Sequence, residues 1–250
     1  MRLCVLGSGS RGHAVYVEAG ETRVLFDAGF TGLELKRRLS SVGVDAAGLS
    51  AIVISHEHSD HVAGLRALAK RLPVYATEGT FSWISNRFTF NGTEVIRPGE
   101  WYAIGPLRFL PVSVSHDAEE PVGFVIQDGD CRAAVVTDLG VVTKSVQHLL
   151  HDLDLAVIES NHDPRMLIEG PYPWDLKQRI KGRLGHLSNP QAAELIASIS
   201  HPGLRHVMVA HLSETNNTPA LASASAHDAV PESCRVHACC QARPAPMIKL

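Results

Sequence analysis

Short apolar runs recur along the chain, most of them bounded by glycine, aspartate or serine, and the alternation inside them is that of β-strands. Leu3–Leu6, Ala14–Glu18 and Arg23–Phe26 read as three strands joined by glycine turns. Gly32–Leu39 has the spacing of an amphipathic helix, and Gly43–Leu49 reads as a connecting loop. The run Ala51–Ile54 predicts a buried strand, with a helix over Val62–Leu72 behind it. Pro73–Ala76 predicts a short strand and Glu78–Arg87 a helix. Val95–Ile104 and Leu107–Val114 carry the turn signals of an antiparallel meander, and Gly123–Asp128 pairs naturally with Cys131–Val136 across Gly129-Asp130. Leu153–Ile158, a helix over Gln191–Ser200, a strand over Arg205–Ala210, a helix from about Pro219 and a strand over Arg235–Cys240 complete the pattern. With no internal repeat, low-complexity tract or linker, residues 1–250 are expected to form a single domain.

Between the strand Ala51–Ile54 and the helix after it lies Ser55-His56-Glu57-His58-Ser59-Asp60-His61. In extended chain His56 and His58 face one way and Glu57 the other, which makes Glu57 a structural residue. Asp60 and His61 fall at the turn into the helix and reach a second point nearby. Neutral imidazole and carboxylate are ligands for zinc and similar divalent ions, and four such residues at this spacing form a strong metal motif. Further candidates also follow apolar strands directly: His116 after Val112-Ser113-Val114, Asp138 after Val135-Val136, and His211 after Val207-Met208-Val209. Strand ends along one edge of a layered sheet are where pockets form. Asp27, closing the third strand, is placed to brace a metal-loop histidine. Gly7-Ser8-Gly9-Ser10-Arg11-Gly12-His13 exposes amides that could hold an anion, or is an ordinary hairpin turn.

Composition narrows the setting. Apolar residues make up 45% of the chain, and no apolar stretch approaches the ~20 residues of a membrane span, so a soluble protein is expected. The chain enters a strand at Leu3 without a signal-peptide layout, and its five cysteines lack a disulfide or zinc-ribbon spacing, which together point to the cytoplasm. A net charge of −3 means that any nucleic-acid contact needs a local basic patch. Arg165, Lys177, Arg179, Lys181 and Arg183 form the densest such stretch, just before Gly185-His186-Leu187-Ser188-Asn189. Such a run is a solvated helix face on general grounds. Its place beside the candidate metal edge favours a track for a phosphate backbone.

The motif His-x-His-x-Asp-His after a strand resembles the signature of the metallo-β-lactamase fold superfamily. This implies an α/β architecture, a four-layer αββα sandwich of two mixed sheets with a metal site at one edge. Carried over, His56, His58 and His116 would hold one ion, Asp60, His61 and His211 a second, and Asp138 would bridge them. Two ions roughly 3.5–4 Å apart can share a hydroxide nucleophile and polarise a phosphoryl or carbonyl oxygen. Glu159, Gly185-His186 with Ser188, and His211-Leu212-Ser213 resemble motifs of tRNase Z, where the Glu and His act near the scissile phosphate. Ser115-His116-Asp117-Ala118, Thr137-Asp138-Leu139-Gly140, Glu159-Ser160-Asn161-His162-Asp163 and His211-Leu212-Ser213-Glu214-Thr215-Asn216-Asn217 add a match over nearly the whole chain to the YycJ (WalJ) family of the same superfamily.

That family implies a 5′→3′ exonuclease on double-stranded DNA, with Asp60, Glu159 and His186 catalytic and no inserted clamp or arm. Ser8, Ser10, Ser188, Asn189, Ser213 and the basic run are the candidate phosphate contacts. Two zinc ions are expected, with manganese or iron as substitutes, in a monomer or homodimer. One departure is His13, where the family's first loop has Asn. An RNA-processing nuclease, a small-molecule phosphodiesterase, an acyl hydrolase and a non-catalytic metal-binding regulator are the alternative readings; the last two leave Glu159, His186 or the complete ligand set unexplained.

Overall fold

The strands assemble into two seven-stranded mixed sheets in the computed structural model, which describes residues 1–250. The chain runs β1 (Arg2–Gly7), β2 (Ala14–Ala19), β3 (Thr22–Phe26), α1 (Gly32–Ser41), β4 (Ala51–Val53), α2 (Ser59–Val62), α3 (Leu65–Leu68), β5 (Val74–Ala76), α4 (Glu78–Ile84) and β6 (Thr93–Val95). These strands, with β14 at the far edge, make the first sheet in the order β14-β1-β2-β3-β4-β5-β6. The chain then enters β7 (Tyr102–Ile104), β8 (Leu107–Ser113), β9 (Val122–Asp128), β10 (Cys131–Val136), α5 (Lys144–Leu149), β11 (Leu155–Glu159), α6 (Pro164–Glu169) and α7 (Trp174–Lys181). It continues through α8 (Asn189–Ile199), β12 (His206–Ala210), α9 (Pro219–His227), β13 (Arg235–Ala238) and β14 (Ile248–Lys249). The second sheet is ordered β13-β12-β11-β10-β9-β8-β7.

Alternation decides which face each strand residue serves. Leu3 and Val5 of β1, Val15 and Val17 of β2, Phe109 of β8, Phe124 of β9 and Met208 of β12 meet between the sheets. Cys4, Leu6 and Tyr16 turn the other way and pack under Leu35, Leu39, Leu65 and Phe81 of α1, α3 and α4. On the outer face of the second sheet, Ala134, Val136, Ile158 and Val209 pack under Val146, Leu195, Ile196 and Ala222 of α5, α8 and α9. Three apolar layers between four layers of structure give the αββα sandwich.

Pairing direction explains where the site forms. Within the first sheet β1, β3 and β4 run the same way, because β2 is antiparallel to both β1 and β3, and β4 is parallel to β3. Within the second, β8, β10, β11 and β12 share one direction for the same reason. The C-terminal ends of these strands deliver Ser8, Asp27, His56, His116, Asp138, Glu159 and His211 to one edge of the sandwich.

The elements α5, α6 and β14 stand where the sequence pattern predicts none, and three further places differ from expectation. The helix expected over Val62–Leu72 begins earlier, at Ser59, and divides into α2 and α3 at Gly64. Gly64 sits so close to its neighbours that a Cβ there would lie 2.5 Å from Leu35 Cδ1 and 2.8 Å from Phe30 O. The stretch Val95–Ile104 is not one arm of a meander. Its first residue ends β6, parallel to β5 in the first sheet, and Tyr102–Ile104 forms β7 in the second. Ile96, fully buried between the sheets, marks the crossing. The strand expected over Arg235–Cys240 stops at Ala238, and it is followed by the short strand β14.

Candidate metal centre

After β4 the chain carries Ser55–His61 across the sheet edge, and Asp27 fixes it there. Asp27 Oδ1 accepts the Ser55 amide at 2.8 Å, and Oδ2 accepts the Ser55 hydroxyl at 2.8 Å and His61 Nδ1 at 2.9 Å. The Ser55 hydroxyl in turn lies 3.0 Å from His56 Nδ1. Glu57 turns away, its Oε1 accepting the Glu119 amide, the structural part expected of it. From the second sheet, His116 Nδ1 faces the Gly185 carbonyl at 3.2 Å and His211 Nδ1 lies 3.0 Å from Glu159 Oε1. With Nδ1 occupied on His56, His61, His116 and His211, each presents Nε2 to the centre.

These nitrogens meet the carboxylates at ligand spacing. His56, His58 and His116 bring one ligand atom each to within 4.8 Å of one another, as do Asp60, His61 and His211. Asp138 lies between the groups: Oδ2 is 3.3 Å from His61 Nε2, while Oδ1 is 3.6 Å from His211 Nε2 and 3.8 Å from His116 Nε2. Most of these separations exceed a good hydrogen bond, but they suit ligands sharing a cation, since bonds of ~2.1 Å at tetrahedral angles put neighbouring donors about 3.4 Å apart. His56 Nε2, His61 Nε2, His211 Nε2 and Asp138 Oδ2 are all buried with no hydrogen-bond partner. Leaving such atoms unsatisfied costs about 1–3 kcal/mol each, so a cluster of four marks a place for divalent ions. A hard, oxygen-only ion such as calcium fits this imidazole-rich set poorly; zinc and its neighbours fit it well.

The backbone is bent to deliver them. Asp27, Asp138 and His211 have φ of 62°, 58° and 55°, in the left-handed region. Each such residue costs about 1–2 kcal/mol, and three at one edge place the strain where the chemistry is.

A further cluster, Asp138, Glu159, His186 and His211, also has close donor atoms. Glu159 is fully buried, however, and its oxygens are occupied. Oε1 receives His186 Nδ1 at 2.8 Å and His211 Nδ1 at 3.0 Å, and Oε2 receives the amides of Leu139 and Leu187. It orients two imidazoles rather than holding an ion itself.

Charge follows this wiring. Burial favours the neutral imidazole at His56 and His116 and holds both below the ordinary histidine range. Burial opposes the charged form at His211 too, but Asp138, Asp60 and Glu159 outweigh it and raise that group to about 10. Asp27 and Asp138 similarly lift His61 well above the usual value, and Glu159 lifts His186. Burial would raise the carboxyl of Glu159, yet its contacts with His186 and His211 bring it down to about 2.

Several candidate phosphate contacts have other partners. Ser8 is fully buried, its hydroxyl accepting the His211 amide at 2.8 Å and lying 2.8 Å from His13 Nδ1. His13, in the position of the family's Asn, is likewise fully buried, and burial lowers its pKa to about 4. Ser188 caps α8 in a capping box with Gln191, and Asn189 is bonded to Ser160 and Asn217. Lys177 corrects the reading of the basic run: it is 9% exposed, and its ammonium donates to the Ile168 and Gly170 carbonyls. Arg165 pairs with Glu169 on its own helix, and Lys181 lies over the Trp174 ring. Arg183 is exposed. Ser10, Arg179 and Ser213 do face the site, lining a cavity of about 280 Å³ together with His186.

Asp117 carries no metal-motif spacing of its own, yet it joins helix to centre. Its Oδ2 receives Arg179 Nε at 2.7 Å and Nη2 at 2.6 Å, and its Oδ1 is 3.2 Å from His116 Nε2. Asn161, within the Glu159–Asp163 motif, and Tyr172, which no local signal in the sequence marks, also line the cavity. A wider, more open cavity of about 450 Å³ lies on the Asp60 side, and Ser10 lines both.

A model of the family described as Beta-lactamase superfamily domain matches residues 22–212. The exodeoxyribonuclease YycJ of Bacillus anthracis is 34% identical over 237 residues, 93% of this chain and 90% of its own. The exodeoxyribonuclease WalJ of Streptococcus pneumoniae is 33% identical over 225 residues, 87% of this chain and 84% of its own. YhfI of Bacillus subtilis, a metallo-β-lactamase fold protein, shares the fold with a TM-score of 0.75 at 18% identity, over 98% of each chain. No helix is long and apolar enough to cross a membrane. The chain belongs to the β-lactamase superfamily and, within it, to the YycJ/WalJ family of metal-dependent hydrolases.

Proposed function

We propose that the protein is a binuclear metal-dependent exonuclease that shortens double-stranded DNA from its 5′ ends. The observation that carries this reading is the pair of three-residue ligand groups meeting at Asp138, with a histidine that is not needed as a ligand, His186, lining the cavity beside them. The exodeoxyribonuclease relatives supply the substrate class. Zinc is the first choice of ion, with manganese or iron as substitutes, because the donors are imidazole and carboxylate.

His56, His58 and His116 would hold one ion and Asp60, His61 and His211 the other, with Asp138 shared. When bound, the ions supply charge for the phosphoryl oxygens and acidify the attacking water. Asp60 orients that water and accepts its proton. His186 is held by Glu159 through Nδ1, so Nε2 is the nitrogen left for the cavity it lines. Glu159 outweighs burial and raises the pKa of His186, which favours the protonated form, and His186 gives that proton to the leaving alkoxide. A phosphodiester needs this acid because an alkoxide is a poor leaving group.

The test is a linear duplex labelled at either the 5′ or the 3′ end, digested by protein reconstituted with manganese or zinc, with Asp60→Ala in parallel. Immediate release of short 5′-labelled product by the wild type alone is expected. An intact duplex under every metal, with both ions bound, would move the reading to RNA or small phosphodiesters.

A further inference from the structure

We infer that the narrower cavity beside His186 receives the terminal nucleotide as it is cut off, and that its fixed walls limit each cut to one nucleotide. The inference rests on the nuclease reading and adds the fate of the leaving fragment.

The ligand cage lies between two cavities of different character. His186 lines one and Asp60 the other, and Ser10 belongs to both, so the glycine loop forms a shared rim. The leaving oxygen must lie within reach of the acid. Whatever carries that oxygen therefore occupies the His186 side, and the phosphoryl group with the rest of the strand lies across the cage toward Asp60. In a cut from a 5′ end that leaves a new 5′-phosphate, the P–O3′ bond breaks. Water adds its oxygen to phosphorus, and the departing O3′ takes the His186 proton. The departing O3′ belongs to the terminal nucleotide, so that nucleotide is the occupant of the His186 cavity.

The walls suit such an occupant. Tyr172, Leu176 and Ile180 give an aromatic and aliphatic surface against which any base can pack, which needs no hydrogen-bond readout. Asn161, Ser213 and Arg179 provide polar groups for a sugar and phosphate. At about 280 Å³ the space is of nucleotide size, while the 450 Å³ cavity on the other side is open enough for a continuing strand.

The inner wall is also fastened. Arg179 is tied to Asp117 by two contacts, and Lys177, two residues earlier on α7, donates to two carbonyls at the end of α6. At Gly185 the chain passes so near α7 that a Cβ would lie 2.1 Å from the Ile180 carbonyl oxygen. A wall pinned at three points does not swing aside for a second nucleotide.

The experiment uses the full chain with manganese and compares wild type, Leu176→Trp, which fills the cavity, and Tyr172→Ala, which removes its aromatic wall. Three quantities are measured: hydrolysis of bis(p-nitrophenyl) phosphate, the length of the first product from a 5′-labelled duplex, and calorimetric binding of deoxyadenosine 5′-monophosphate. Wild type is expected to release mononucleotide from the first cut. Leu176→Trp should lose about tenfold or more in both duplex digestion and nucleotide affinity, with a smaller loss of affinity for Tyr172→Ala. First products of two or more nucleotides from wild type, or duplex digestion by Leu176→Trp at the wild-type rate, would overturn the inference. If wild type hydrolyses the small diester but leaves DNA intact, the nuclease reading fails by itself. Nucleotide binding that Leu176→Trp abolishes then still supports the cavity assignment, and its absence overturns that as well. Should Leu176→Trp fail to fold, Tyr172→Ala decides, because it only deletes atoms: unchanged nucleotide affinity overturns the cavity assignment.

Discussion

The two sheets supply their halves of the cage by different means. The first sheet contributes His56, His58, Asp60 and His61 from one loop and a single turn of helix, braced by one carboxylate, Asp27. The second contributes His116, Asp138 and His211 from three separate strand ends, braced by Glu159 on a fourth. A contiguous loop keeps its geometry through local bonds. A dispersed set keeps it only as long as the whole sheet holds its register. The first half thus works as a prefabricated clip, and the second as an assembly whose accuracy is that of the fold.

The largest effect should come from the residue common to both halves. Asp138→Ala should abolish binding of both ions, measured by metal analysis. It should reduce hydrolysis by more than the roughly 10²–10³-fold that losing a single electrostatic stabiliser costs. Retention of one ion at full stoichiometry would mean that the halves are independent. His186→Ala should slow the chemical step by about 10²–10⁴-fold with metal content unchanged, as removal of a general acid does. Loss of metal in that variant would make His186 a ligand and void its role as acid.

The braces sharpen the contrast further. Asp27→Asn and Glu159→Gln should each weaken metal binding by about 10–100-fold. Only Glu159→Gln should also depress the rate at saturating metal, because Glu159 holds His186 as well as His211. Matching rate profiles for the two variants would remove the distinction.

Protons offer a graded probe. His61 is held above the ordinary range and His211 at about 10, so near neutrality both carry protons that an incoming cation must displace. Affinity should therefore rise with pH by up to about tenfold per unit for each proton released, flattening once pH passes the raised values. Calorimetry in two buffers of different ionisation enthalpy counts those protons, and a count of zero at neutral pH would contradict the assignment. The smallest effect concerns DNA contact. Arg179→Ala should lower the salt slope of duplex binding by less than about one, its charge being shared with Asp117, whereas Lys177→Met should leave it unchanged, its ammonium being bonded to two carbonyls. Equal slopes for both would restore Lys177 to the track.

The same contrast explains what the sequence made readable. The loop from His56 to His61 could be recognised from spacing alone, since its geometry is local. Short apolar runs likewise yielded most strands, because β1, β2 and β9 are buried on both faces and their burial is nearly continuous in residue order. His116, Asp138 and His211 acquired meaning only through resemblance and their repeated placement after apolar strands. What spacing could not give was partnership. Lys177 is a cation in any composition count, and only the fold shows its ammonium held between two carbonyls. Ser188 carried a signal that pointed elsewhere: Ser-x-x-Gln before an apolar run is a helix start, which is how the structure uses it. Tyr172 matters through neighbours far along the chain, so no local pattern marks it, and Asp117 lies in the Ser115–Ala118 motif while its bond to Arg179 is visible only in the fold. The need for a glycine at position 64, where the expected helix divides, comes from the approach of Leu35 and Phe30, again a matter of packing.

The left-handed backbone at Asp27, Asp138 and His211 has a consequence for engineering. Glycine tolerates that conformation without the Cβ penalty, so selection for heat resistance alone would reward it wherever the relieved strain outweighs the hydrogen bonds of the lost side chain. Every such winner would discard either a ligand or the carboxylate that aims one. Directed evolution of this scaffold therefore has to screen for turnover from the first round, because the cheapest gains in durability lie on the residues it most needs to keep.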